Sequence, residues 1–236
     1  MIILDREMSA AFEKYFRASF VAPRVEPEWI ASRELIFGKL GWRKAGEKLT
    51  PQISINTDLA QKVFEHSAAH DIGHVVQFYE GYPRIEWLKT PTDLGFMQTL
   101  SVIAEAVTDL VTDADAERRL KPYGLWLSER YDVGFKNLKA QLPLVTPDLD
   151  RTGRPIYVVN SVMYAFSKTM LTESQWQIIG ELYSKQLPAT SNLGSRIYKL
   201  VCDGACNTAE KARRAYHGIF QELGMDHLFR FAPEQQ

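Results

Sequence analysis

The stretch His66-Ser67-Ala68-Ala69-His70-Asp71-Ile72-Gly73-His74 decides how the chain is read. It holds three of the five histidines in the sequence, each four residues after the last. Four residues of α-helix advance about 400°, so successive imidazoles drift by only about 40° and all three share one face. Imidazoles at i and i+4 can grip a single metal ion between them. The alternative is a structural cluster of hydrogen-bonded core histidines. Three imidazoles at this spacing, with Asp71 among them, favour the metal site.

Working outward, the pattern predicts a central helix from about Leu59 to Tyr79. Asn56, Thr57 and Asp58 are N-cap types ahead of it, and Gly81, Tyr82 and Pro83 end it. Leu59, Val63, His66, His70, His74 and Phe78 fall near one stripe. A second long helix begins at Pro91, Thr92 and Asp93 and runs through Leu94, Met97, Leu100, Ile103, Val107 and Leu110. It carries Glu105-Ala-Val-Thr-Asp109, two carboxylates one turn apart, and Pro122 and Gly124 close it.

Upstream, Ser9 to Phe20 reads as an amphipathic helix interrupted by Pro23 and Pro27. Pro27 suits the first turn of a helix over Glu28–Phe37, and Gly38, Gly41 and Gly46 mark a loop after it. Downstream, a helix spans Leu125 to about Leu142. The polar segment Pro143–Pro155 is the best linker. Ile156–Val159 enters a helix through Met163 and Phe166, and Thr172 with Gln175 forms a capping box for a helix to about Leu187. Asn192–Val201 and Asn207–Leu223 complete the set, the last ended by Gly224. Strict period-two alternation is not read anywhere, so the expectation is a mostly α fold. It is taken as one helical domain over residues 1–236, with a loop boundary near 143–155.

The 236 residues are 45% hydrophobic, enough for a sizeable core, and the formal net charge is -1. With no basic block, nucleic acid is not an expected partner. Cys202 and Cys206 are too few for a disulfide framework and suggest a reducing compartment. No apolar run is read as long enough for a bilayer span, and the N-terminus has no signal-like pattern. A cytoplasmic protein is expected. Peripheral membrane contact and a homo-oligomer are both compatible with this composition. Phe78, Tyr79, Tyr82, Trp87 and Phe96 flank the motif. They could line a pocket for an apolar small molecule, although such residues are more often core. His217 and His227 are read as structural.

Three resemblances follow from these residues. Ala69-His70-Asp71-Ile72-Gly73-His74 is similar to the central helix of HD-type phosphohydrolases, where the His-Asp pair binds a metal. That family also uses an earlier histidine on another helix, and none precedes His66. His70-Asp71-x-x-His74 resembles the two-histidine zinc helix of zincin peptidases, with aspartate in place of glutamate. Glu105-Ala-Val-Thr-Asp109 resembles the third-ligand helix of the thermolysin-like group. This implies zinc held by His70, His74 and Glu105, with a carboxylate as general base, and a sheet beside the helix; none is read from the sequence. Lastly, His70-Asp71-x-x-His74, then eleven residues, then Glu86 resembles the metal motif of the ubiquinone-biosynthesis proteins that form the fourth component of the coenzyme Q complex.

The third resemblance is the favoured one. It implies an all-helical, metal-dependent enzyme acting on an apolar or prenylated aromatic molecule, including oxidative decarboxylation, with His70, Asp71, His74 and Glu86 as ligands. A metal-dependent hydrolase and a metal-stabilised lipid-binding scaffold are the alternatives. The candidate catalytic residues are Asp71 and Glu105. The candidate metal residues are His70, Asp71, His74 and Glu86, with His66, Glu105 and Asp109 as further members. Two imidazoles with carboxylates suit a divalent metal, zinc or iron foremost.

Overall fold

The computed structural model describes residues 1–20, 24–46, 48–88, 93–204 and 206–233. Pro23, Pro91 and Thr92, expected at helix boundaries, lie outside the described residues. The chain is mostly helical, with small sheets. It divides into two compact units. The first comprises residues 1–81 and 115–127, and the second residues 82–114 and 128–235.

The first unit opens on a two-stranded hairpin, β1 (Ile2–Ile3) and β2 (Arg6–Glu7). Helix α1 (Ala10–Ser19) follows, capped by the Ser9 hydroxyl, which accepts from the Phe12 N–H at 3.2 Å. It buries Phe12, Tyr15 and Phe16, the apolar face read from the sequence.

The expected helix over Glu28–Phe37 and the expected glycine loop are both strands. β3 (Glu28–Ser32), β4 (Gly38–Ala45) and β5 (Lys48–Asn56) form a three-stranded sheet in the order β3-β5-β4. β3 runs parallel to β5 and β4 antiparallel to it. The alternation is present but short. In Gln52-Ile53-Ser54-Ile55-Asn56, the two isoleucines are fully buried and the polar residues between them are only partly so. Five residues of period two suffice for a strand of ordinary length, and Pro27 marks the entry to β3 rather than a helical first turn.

Helix α2 (Gln61–Tyr79) carries the histidines. Its N-cap is Ala60, with no side-chain cap; Asn56 instead accepts from the Asp58 N–H at 2.8 Å, forming a turn ahead of the helix. Every residue from Phe64 to Gly73 is buried. A helix buried around its whole circumference needs apolar or satisfied neighbours on every side. Here β4 and β5 cover one side and α1 another. The end of α3 (Leu94–Leu120) supplies a third, since Ala116 lies against Gly73. The predicted single stripe is therefore too narrow a description.

α3 is the second long helix of the sequence reading. Residues 94–114 belong to the second unit and residues 115–120 to the first. A 3-10 turn, Lys121–Tyr123, with Gly124 at φ 70°, ends it where Pro122 and Gly124 predict. Contrary to expectation, one stretch among the described residues, Leu94–Tyr123, is long and apolar enough to cross a membrane by length and composition. Packing accounts for part of that composition: Leu100, Ile103, Val107, Leu110 and Val111 are buried in the core of the second unit, while Leu94, Phe96 and Val102 are exposed.

The rest of the second unit is α4 (Glu129–Gln141), α5 (Pro155–Met170), α6 (Glu173–Gln186), α7 (Pro188–Gly204) and α8 (Ala209–Glu222). The capping box at Thr172 and Gln175 is formed. At α8 the cap is Thr208 rather than Asn207. Residues 143–155 lie inside this unit. Asp150 accepts from the Ala189 and Thr190 N–H groups at 2.8 and 2.7 Å, satisfying the exposed donors at the start of α7. β6 (Pro83–Trp87) pairs antiparallel with β7 (Phe229–Pro233), a second sheet not read from the sequence.

The strand assignment has a direct test. Ile55→Ala should cost about 2–5 kcal/mol in denaturant unfolding, while Ser54→Ala, one residue away on the other face, should cost about 0.5 kcal/mol or less.

Candidate metal centre

The site forms on α2, within the first unit. His70 Nε2 and His74 Nε2 face each other at 3.0 Å. The ligand atoms of His70, Asp71 and His74 all lie within 4.8 Å of one another, and this group could hold a metal ion. His70 and Asp71 are buried and His74 is half-buried.

The ring orientations explain how the nitrogens come to converge. Glu117, near the end of α3, is 3% exposed. Its Oε1 accepts from His70 Nδ1 at 2.7 Å and its Oε2 from His66 Nε2 at 2.9 Å. Burial works against the charged form of Glu117. The hydrogen bonds from His66 and His70, together with their charge, outweigh that penalty and hold its carboxyl well below the usual carboxylate range. A carboxylate only accepts, so His70 donates through Nδ1; its Nε2 carries a lone pair when the ring is neutral and a second N–H when it is charged. A carboxylate behind a ligand imidazole orients the ring and strengthens it as a ligand. His66 is thus placed on Glu117 rather than in the His70–Asp71–His74 group.

Two glycines make the arrangement sterically feasible. A Cβ on Gly73 would lie 3.0 Å from Ala116 Cβ and 3.2 Å from its Cα. The bare glycine lets α3 come close enough for Glu117, the next residue, to reach both imidazoles. A Cβ on Gly38 would overlap Asp71 Oδ2. The first residue of β4 is therefore a glycine where the aspartate carboxylate meets the strand.

The remaining predicted residues are placed elsewhere in the chain. Glu86 lies on β6 in the second unit, where its Oε2 accepts from Arg230 Nε at 3.0 Å and pairs with Nη2 at 2.9 Å. Glu105 and Asp109 lie on the second-unit part of α3, on its exposed face. Of the flanking aromatics, Phe78 packs on Trp42 with ring centroids 4.0 Å apart, and Tyr79 meets both rings edge-on. Tyr82 donates to the Cys206 carbonyl and Trp87 packs on Phe229, both in the second unit, and Phe96 is exposed.

Glu117 and Gln77, whose amide oxygen stands 2.9 Å from His74 Nδ1, were not identified from the sequence. Gln77 is three residues from His74 and on its face, a spacing that could have signalled the contact. Glu117 lies far along the chain, and only the close approach at Gly73 reveals it.

No family model matches the chain, and no curated protein or solved structure is significantly similar to it.

The donor set fits a divalent cation. Two imidazole nitrogens face each other with a carboxylate beside them, and at His70 a buried anion fixes the ring from behind. Elemental analysis after zinc loading should give one ion per wild-type chain and a loss of most of it in His70→Ala and His74→Ala. Glu117→Gln, which keeps the shape but not the charge, should weaken binding about 10–100-fold in a chelator competition.

Proposed function

We propose that the chain is a metal-dependent hydrolase of the zincin kind, acting on peptide bonds. The observation that carries this reading is Asp71 against Gly38. The carboxylate beside the paired imidazoles meets the start of β4, and β4 is an edge of its sheet. Zincins need such a sheet beside the metal helix to hold the substrate backbone.

In this reading His70 and His74 would hold the ion through Nε2, with zinc as the metal. Bound zinc lowers the pKa of its water to about 7 and polarises a carbonyl. Asp71, adjacent to His70 on the helix, stands beside the imidazole pair and is placed to accept the proton that hydrolysis releases. It is one methylene shorter than the glutamate of the zincin pattern, and the bare Gly38 lets the strand meet that carboxylate. The open edge of β4 offers its backbone N–H and C=O groups to an extended peptide, which would add as a further strand.

Support for the other readings is thinner. The quinone-biosynthesis resemblance draws on Glu86, whose carboxylate is engaged by Arg230. The phosphohydrolase resemblance draws on an earlier histidine that the sequence lacks.

The zinc-loaded chain should cleave members of a mixed peptide library, with products identified by mass spectrometry. With Asp71 serving as general base and not as a ligand, Asp71→Asn should retain zinc and lose at least about a hundredfold in kcat. Hydrolysis of aryl phosphates with no peptide cleavage would refute the peptidase reading.

A further inference from the structure

His74 is oriented differently from His70. Its Nδ1 lies 2.9 Å from Gln77 Oε1, a neutral amide, rather than from a carboxylate. Gln77 is buried, and its Nε2 is 3.1 Å from Asp115 Oδ2. Asp115, also buried, receives Arg119 Nε on Oδ2 at 2.6 Å and Arg118 Nη1 on Oδ1 at 3.3 Å. Arg119 in turn forks onto Glu80, with Nη1 to Oε1 at 3.1 Å and Nη2 to Oε2 at 2.6 Å. Glu80 also accepts from Arg24 Nη2 at 3.1 Å.

The chemistry of these groups leaves one consistent arrangement. A carboxylate held by two arginines is ionised and accepts only. Gln77 must therefore turn its NH2 toward Asp115, which leaves its carbonyl oxygen facing His74. That oxygen also only accepts, so the proton of the neutral ring sits on Nδ1 and Nε2 carries the lone pair. Amide and tautomer are assigned here by the network that surrounds them. Burial works against the charged form of Arg119, but the hydrogen bonds and charge of Glu80 and Asp115 more than offset it and hold the guanidinium charged.

We propose that Gln77, Asp115 and Arg119 form a positioning relay that fixes His74 as the Nδ1–H tautomer and directs its Nε2 lone pair toward His70. The relay begins at the surface pair of Arg119 with Glu80 and ends at the ligand ring. Its effect on metal affinity rests on the metal reading above, whereas its effect on the tautomer does not. None of the three residues touches the ion or a substrate in this proposal; each acts through His74.

The test uses the full chain, metal-free and labelled with 15N at histidine, in a two-bond proton–nitrogen correlation spectrum. Wild-type His74 should show a protonated, pyrrole-type Nδ1 and an unprotonated, pyridine-type Nε2. Asp115→Asn gives Gln77 a partner that can donate, so the Gln77 amide can invert and present its NH2 to His74. The spectrum should then show the Nε2–H tautomer populated. Gln77→Met removes the acceptor at similar volume and should shift the tautomer the same way, which keeps the test available if Asp115→Asn does not fold. Arg119→Lys keeps the cation and should preserve most of the wild-type pattern. Zinc affinity, read by chelator competition, should fall about 10–100-fold in Asp115→Asn and Gln77→Met.

An Nε2–H tautomer in the wild type overturns the relay, as does an unchanged tautomer in both variants. A shifted tautomer with undiminished zinc affinity overturns its role in binding metal. The predicted tautomer pattern in a wild-type chain that binds no zinc supports the relay and refutes the metal reading instead.

Discussion

A carboxylate buried among helices is tolerated only while enough donors reach it, and Glu117 meets that condition through His66 and His70 together. The rest of the site follows from this contact. It requires α3 to approach α2 closely, which the Gly73–Ala116 contact allows. It requires α2 to be covered on several sides, which the sheet and α1 help to provide. It also fixes which nitrogen of His70 is available to a cation. Removing the charge of Glu117 would leave two buried imidazoles competing for one weaker acceptor.

The two ligand rings are held by unlike means. His70 leans on a charge shared with His66, and His74 on a neutral amide backed by Asp115 and Arg119. Both arrangements turn Nε2 inward, and the two nitrogens stand 3.0 Å apart. That spacing suits a proton shared between the rings as well as a cation held by both.

The helices were legible because their signals are local. The Ser9 cap, the Thr172–Gln175 box, the break at Pro122 and Gly124 and the four-residue histidine period are each contained in one or two turns. The three-stranded sheet was harder to read. β3 is only five residues long, β4 contains two glycines, and the alternation of β5 spans just Gln52 to Asn56. Gly38 looked like loop punctuation because its reason for being glycine, the Asp71 carboxylate, lies thirty-three positions away in the chain. The pair on α2 was visible from its spacing. Glu117 was not, because nothing in the local pattern of α3 separates a carboxylate that meets two imidazoles from one facing water. The second unit posed the same difficulty: β6 and β7 pair across more than a hundred residues.

β4 is one of the two edges of the three-stranded sheet, and its sequence bears on what neighbour it can receive. Lys39 and Lys44 stand exposed along it, with Arg43 already paired to Glu28. Lysines on a sheet edge are a familiar safeguard against aggregation. Lys39 and Lys44 project to opposite faces of the strand, so two copies meeting edge to edge would carry lysines from both copies on each face. The strand is therefore open to foreign segments and averse to its own duplicate, a polarity that would keep the protein dispersed at high concentration.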